Sequence, residues 1–174
     1  MVITRQLIAA IVGQYPLPVD GVHGISHWAR VYQIGCRLAP TTGARLPVVQ
    51  LFAVLHDSRR FNEGIDRGHG ARAAAYAATL RGSLVNLSDD DFALLTVACE
   101  HHTAGTTAGD VTVRTCWDSD RLDLGRVGIR PEPRRLCTAA AKEAETIGWA
   151  HDRATRRVWP ALIADEWGVQ RPGR

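Results

Sequence analysis

The chain has 174 residues, 45% hydrophobic and 22% charged, which fits one domain with room for a real core. Its net charge of +3 is small and its arginines are dispersed, with no basic run interleaved with aromatics, so nucleic-acid binding is not implied. No stretch approaches the ~18 apolar residues of a membrane span, and the 4 cysteines form no CxxC pair, so free buried thiols and a cytoplasmic setting are expected.

Gly and Pro cluster at turns, "YPLPVDG", "APTTGARLP", "RGSLVNLS", "TAGTTAGD" and "IRPEPRR", and between them apolar residues recur at helical spacing. The opening "MVITRQLIAAIVGQ" reads as an ordinary first helix, because no small-residue cleavage site of the secretory kind follows. Ile25, Trp28, Val31, Ile34 and Leu38 predict a helix from about Val22 to Ala39. Leu46 to His56 is apolar nearly all round and predicts a central buried helix. "HGARAAAYAATL" is alanine-rich and helical. "SDDDFALLTVACEHH" opens with Ser88 and acids at the positive end of a helix dipole, in the manner of a capping box. "VTVRTCWDSDRLDLGRV" starts β-branched, which suits a strand, but its later spacing favours helix. Two more helices are expected at about Arg134 to Gly148 and Asp152 to Trp167, with a frayed tail at "VQRPGR". Trp149, Trp159 and Trp167 read as packing residues. Strand alternation is weak throughout, so the fold class is all-α in a single domain.

"LFAVLHDSRR" poses the functional question. A buried apolar run ends in His56 and Asp57, and buried charge is costly unless it is paired or bound to a metal. His27 shares the apolar stripe of Val31, Ile34 and Leu38. His102 shares that of Leu95 and Ala98. Asp120 sits among Val113, Cys116, Trp117 and Leu124, whereas Asp118 and Asp123 are expected to point elsewhere. Any one inward histidine reads as a satisfied core residue. Several on neighbouring helices suit a transition metal, and helical bundles build di-metal sites in this way.

These pieces, in order, resemble the HD superfamily of metal-dependent phosphohydrolases. "HWARV" is similar to the first histidine motif of that family, "AVLHDSRR" to its His-Asp doublet, and "GHGARAA" to the histidine at the next helix start in two-metal members. "ACEHHTAG" resembles the later histidine motif, and "DSDRLDLG" the closing aspartate motif. The resemblance spans about Val22 to Val127 and leaves the C-terminal helices outside it. The Gly-Tyr-Pro signature of cyclic-dinucleotide phosphodiesterases is absent, so cyclic di-GMP is not implied. "AHDR" at His151 and Asp152 is read as a chance doublet.

The resemblance implies an HD-type helical bundle. It implies one metal on His27, His56, Asp57 and Asp120, with Asp57 bridging to a second held by His69, His102 and His101. The cofactors would be two divalent transition-metal ions, Fe, Mn, Ni or Zn. The implied reaction is hydroxide attack on a phosphoester or phosphoanhydride of a small, nucleotide-like substrate. Arg59 and Arg60 are candidate phosphate contacts, and His23 is a candidate substrate contact or support for a ligand. Glu63 is a candidate acid/base group or a salt-bridge partner. Two rivals stand beside this reading: a mixed-valent diiron oxygenase on the same fold, and a non-catalytic nucleotide-sensing module.

Overall fold

The computed structural model describes residues 2–172, which are helical with no strand among them. Helices α1 (Arg5–Val12), α2 (Ile25–Thr42), α3 (Leu46–Leu55), α4 (His69–Leu80), α5 (Asp89–His101) and α6 (Val111–Leu122) follow the predicted order. A 3-10 segment, Asp123–Val127, extends α6. Then come a short 3-10 turn at Pro133–Arg135, α7 (Ala139–Lys142), α8 (Ala144–Thr155) and α9 (Leu162–Asp165). None of these helices is long and apolar enough to cross a membrane.

Helix α3 is the axis of the bundle. Seven of its ten residues are buried, from Val48 to Leu55, and α1, α2, α4, α5 and α6 all pack against it. This is the physical meaning of a helix apolar all round: it has no solvent face to keep polar. Two glycines set how closely its neighbours approach. A Cβ on Gly35 would lie 2.4 Å from Val49 Cγ1, so α2 and α3 touch through that gap. A Cβ on Gly70 would lie 2.4 Å from the Cys99 carbonyl oxygen, so the start of α4 sits directly on the end of α5.

Helix starts follow local chemistry. The Ser88 hydroxyl accepts from Asp91 N–H and begins α5, while the Asp91 carboxylate goes to Arg45 rather than back to Ser88. Asp110 accepts from Thr112 N–H, which commits "VTV" to α6 and removes the strand alternative.

The C-terminal boundaries differ from expectation. Thr138 caps Ala141 N–H and starts α7 at Ala139. Glu143 is extended (φ −61°, ψ 133°) and separates α7 from α8. Arg157 turns to φ 48°, and Pro160 has no N–H to carry a helix onward, so α8 and α9 are separate.

Asp118 and Asp123 do not point away from the core: both are fully buried. The Asp118 carboxylate accepts from Cys137 N–H (2.7 Å), Thr138 N–H (2.8 Å) and the Thr138 hydroxyl (2.7 Å), which ties α6 to the start of α7. Asp118→Ala strands these buried donors. It should cost about 3 kcal/mol, read as a lower midpoint in urea unfolding, while metal content stays at the wild-type level.

Candidate metal centre

The candidate ligands sit at helix ends, where side chains from different elements meet. His27 is in the first turn of α2, His56 and Asp57 directly follow α3, and His69 opens α4. His102 directly follows α5, and Asp120 lies in the last turn of α6. All but Asp120 are at least nine-tenths buried, and the Asp120 side chain is 13% exposed.

Each imidazole is oriented from behind. His56 Nδ1 donates to the Phe52 carbonyl (3.1 Å), His69 Nδ1 to that of Asp66 (2.6 Å), and His102 Nδ1 to that of Cys99 (2.7 Å). His27 Nδ1 faces Asp123 Oδ2 at 2.7 Å. A carbonyl carries no proton, so Nδ1 must supply it, and Nε2 is left to face the centre, as a lone pair wherever the ring is neutral. Those nitrogens then face one another. His27 and His56 Nε2 are 3.1 Å apart, and His69 and His102 Nε2 are 2.8 Å apart. Facing lone pairs repel, and a shared cation removes the repulsion. Nδ1 fixed by an acceptor with Nε2 free is also the arrangement by which proteins orient histidine ligands.

Asp57 lies between the pairs. Its Oδ2 is 3.6 Å from His27 Nε2 and 3.7 Å from His56 Nε2. Its Oδ1 is 3.1 Å from His69 Nε2 and 3.6 Å from His102 Nε2. Among the described residues two groups could hold a metal ion: His27, His56 and Asp57, and Asp57, His69 and His102. Asp120 Oδ1 joins the first, at 3.4 Å from His27 Nε2 and 3.7 Å from His56 Nε2. That oxygen is buried without a hydrogen-bond partner among the described residues. A buried, unpartnered carboxylate oxygen beside bare imidazole nitrogens fits a divalent cation.

The electrostatics agree for His27 and His56, whereas at His102 burial is outweighed by the Asp57 carboxylate, which raises the imidazole above its ordinary value. Burial pushes His56 down to about 4 and, with Arg126 nearby, holds His27 well below the ordinary histidine value. Both rings are therefore neutral, and able to ligate, at neutral pH. Burial alone would raise the carboxyls of Asp57 and Asp120. The surrounding histidines, with Arg126 beside Asp120, outweigh it and hold both acids in the charged form.

The structure separates the other candidates. His101 is exposed and stands outside both groups, because consecutive positions at a helix end point in different directions and His102 takes the inward one. Arg59 turns away too: its guanidinium bonds Gln14 and lies over the Tyr76 ring. Arg60 is buried, with one nitrogen 3.5 Å from Asp57 Oδ1 and 3.2 Å from His69 Nε2. His23 is buried beside His27, their ring centroids 6.3 Å apart, and its Nδ1 pairs with the Glu63 carboxylate. Glu63 is thereby directed to His23 and not to the metal groups.

Sequence reasoning missed Asp123 and Arg126. Asp123 takes two bonds from the Arg30 guanidinium (2.7 and 3.0 Å) while it holds His27. Its signal was present, since Arg30 follows His27 by three and Asp123 follows Asp120 by three. Arg126 lies 3.7 Å from Asp120 Oδ1, and no pattern in its 3-10 segment marks it as inward.

Two outcomes follow from this geometry. Asp120→Asn should lower the metal content of protein purified without chelator, and His101→Ala should leave it unchanged, as elemental analysis would read. The His56 contribution to the stability of the metal-free chain should also fall as pH drops from 6.5 towards about 4. Over that window the unfolded chain protonates His56 and the folded chain does not. That contribution is thus complete above 6.5 and declines below it, by about 3 kcal/mol at the lower end, whereas His102, raised by Asp57, works in the opposite direction. The difference in urea midpoint between wild type and His56→Gln, followed across this pH range, checks the sign.

No protein-family model and no curated protein matches the chain. Its structure is similar to the crystal structure of a predicted HD superfamily hydrolase from an uncultured Thermotogales bacterium. The two are 24% identical, with 87% of each chain covered and a TM-score of 0.64. The chain therefore has the HD-type all-helical fold, and its buried His and Asp groups are compatible with a metal site of that type.

Proposed function

We propose that this chain is a metal-dependent phosphohydrolase that holds two divalent transition-metal ions and cleaves a phosphoester or phosphoanhydride bond of a nucleotide-like substrate. The observation that carries the reading is the division of Asp57, whose two oxygens each face a separate pair of bare imidazole nitrogens. One carboxylate placed in this way supplies a shared counter-charge to two cations. Divalent ions bound there supply Lewis acidity towards a phosphoryl oxygen and lower the pKa of a water molecule.

A cavity of about 480 Å³ supports the substrate class, since His102 and Asp120 form part of its wall. Leu124, Ile129, Pro131 and Leu136 offer it an apolar side, suited to a flat organic group, and Arg121, Arg130 and Arg135 offer cations. Arg121 is engaged by the carbonyls of Arg135 and Thr106. Arg130 and Arg135 are exposed and are the residues proposed to meet phosphate. Asp123 keeps His27 in its ligating tautomer, and Arg60 steadies Asp57 and His69. Because Glu63 is directed to His23, no acid/base role is assigned to it. Arginines at the mouth of the cavity favour phosphate chemistry over the diiron oxygenase and sensor readings.

Asp57→Ala should abolish turnover of a phosphoester panel, because both pairs lose their common counter-charge, whereas His102→Ala should retain a residual rate. Arg130→Ala and Arg135→Ala should each raise KM about tenfold or more with kcat little changed, as expected for a lost charge-assisted hydrogen bond. Turnover should be equal under air and argon. Oxygen-dependent product formation, or an Asp57→Ala protein as active as wild type, would overturn the reading.

A further inference from the structure

A second cavity, of about 260 Å³, lies between the start of α2 and the segment after α8, and shares no lining residue with the first. Ser26, Arg30, Arg126, Arg157, Trp159 and Arg171 line it, with Asp20 the one acid among the lining residues. Arg30 is spent on Asp123 and on the Val158 carbonyl. Three arginines therefore face the cavity against one aspartate.

Arg126 is the informative member. It is 9% exposed, and its Nε and one terminal nitrogen are buried with no hydrogen-bond partner among the described residues. Its nearest carboxylate oxygens, on Asp120 and Asp123, are 3.7 and 3.9 Å away, beyond hydrogen-bond length. Buried guanidinium N–H groups without acceptors are costly, and an anion in the cavity would satisfy them.

Arg157 gives an independent indication. It is the one non-glycine residue at positive φ among the described residues, at 48°. It follows the cap of α8, a position that glycine ordinarily fills because it carries no Cβ penalty there. An arginine is kept at that conformational cost, and it lines the same cavity. The first turn of α2, with Ser26 in it and no side-chain cap at Gly24, adds the positive end of a helix dipole.

We propose that this cavity is a second anion site that takes a phosphoryl group, separate from the metal-centred cavity. The proposal stands whether or not the hydrolase reading does, because it uses neither a metal ligand nor turnover.

The test is isothermal titration of the protein as purified with inorganic phosphate, comparing three forms. These are wild type, Arg157→Gly combined with Arg171→Ala, and Arg130→Ala combined with Arg135→Ala. Arg157 and Arg171 are exposed, and Arg157→Gly removes the positive-φ strain, so thermal melts of that pair should match wild type. A phosphate-binding component should weaken at least tenfold in the Arg157/Arg171 pair and persist in the Arg130/Arg135 pair. Metal content and turnover, measured on the same samples, should be unchanged in the first pair. An Arg157/Arg171 isotherm equal to wild type would overturn the proposal, as would the absence of saturable phosphate binding outside the metal-centred cavity.

Discussion

Four imidazole Nε2 atoms and two carboxylates converge in the middle of a helical core, and most of the structure is arranged to tolerate that. Buried charge is expensive in an apolar interior. Here the expense is met locally: every Nδ1 proton has an acceptor, so that only Nε2 is left to the centre. Asp57 is held charged by the histidines on both of its sides, which outweigh the effect of burial. The apolar faces of α3 shield the cluster, and Asp120, on the open side, is the most exposed of the ligands.

Close backbone approach is what makes the convergence possible. Gly35 lets α2 lie against α3, and so brings His27 to His56. Gly70 lets the first turn of α4 lie on the last turn of α5, and so brings His69 to His102. Any side chain at either glycine would meet atoms that cannot swing aside, since interiors pack at near-crystalline density. The metal groups thus depend on residues that touch no metal.

The buried arginines divide by partner. Arg30 is fully engaged with Asp123 and fixes the orientation of His27 at one remove. Arg60 sits beside Asp57 and His69. Arg126 is poorly satisfied and stands between the metal centre and the second cavity. A guanidinium cannot shed its proton, so burial of an incompletely paired one is resolved by an acceptor and not by neutralisation.

The sequence by itself determined the helical class, the central place of Leu46 to Leu55, the starts of α4 and α5, and the inward positions of His27, His56, His102 and Asp120. Those properties are local: periodicity, caps and apolar stripes are written in residues a few positions apart. It could not separate His101 from His102, because one residue at a fraying helix end decides which side chain turns inward. Nor could it place Asp118 and Asp123, whose partners, Cys137 and Thr138 in one case and His27 and Arg30 in the other, lie far away in the chain. Arg59 and Arg60 read alike as neighbours after the doublet, yet one packs on Tyr76 and the other on His69. Tertiary structure alone decided these, since a buried polar group goes where a partner from another element can satisfy it.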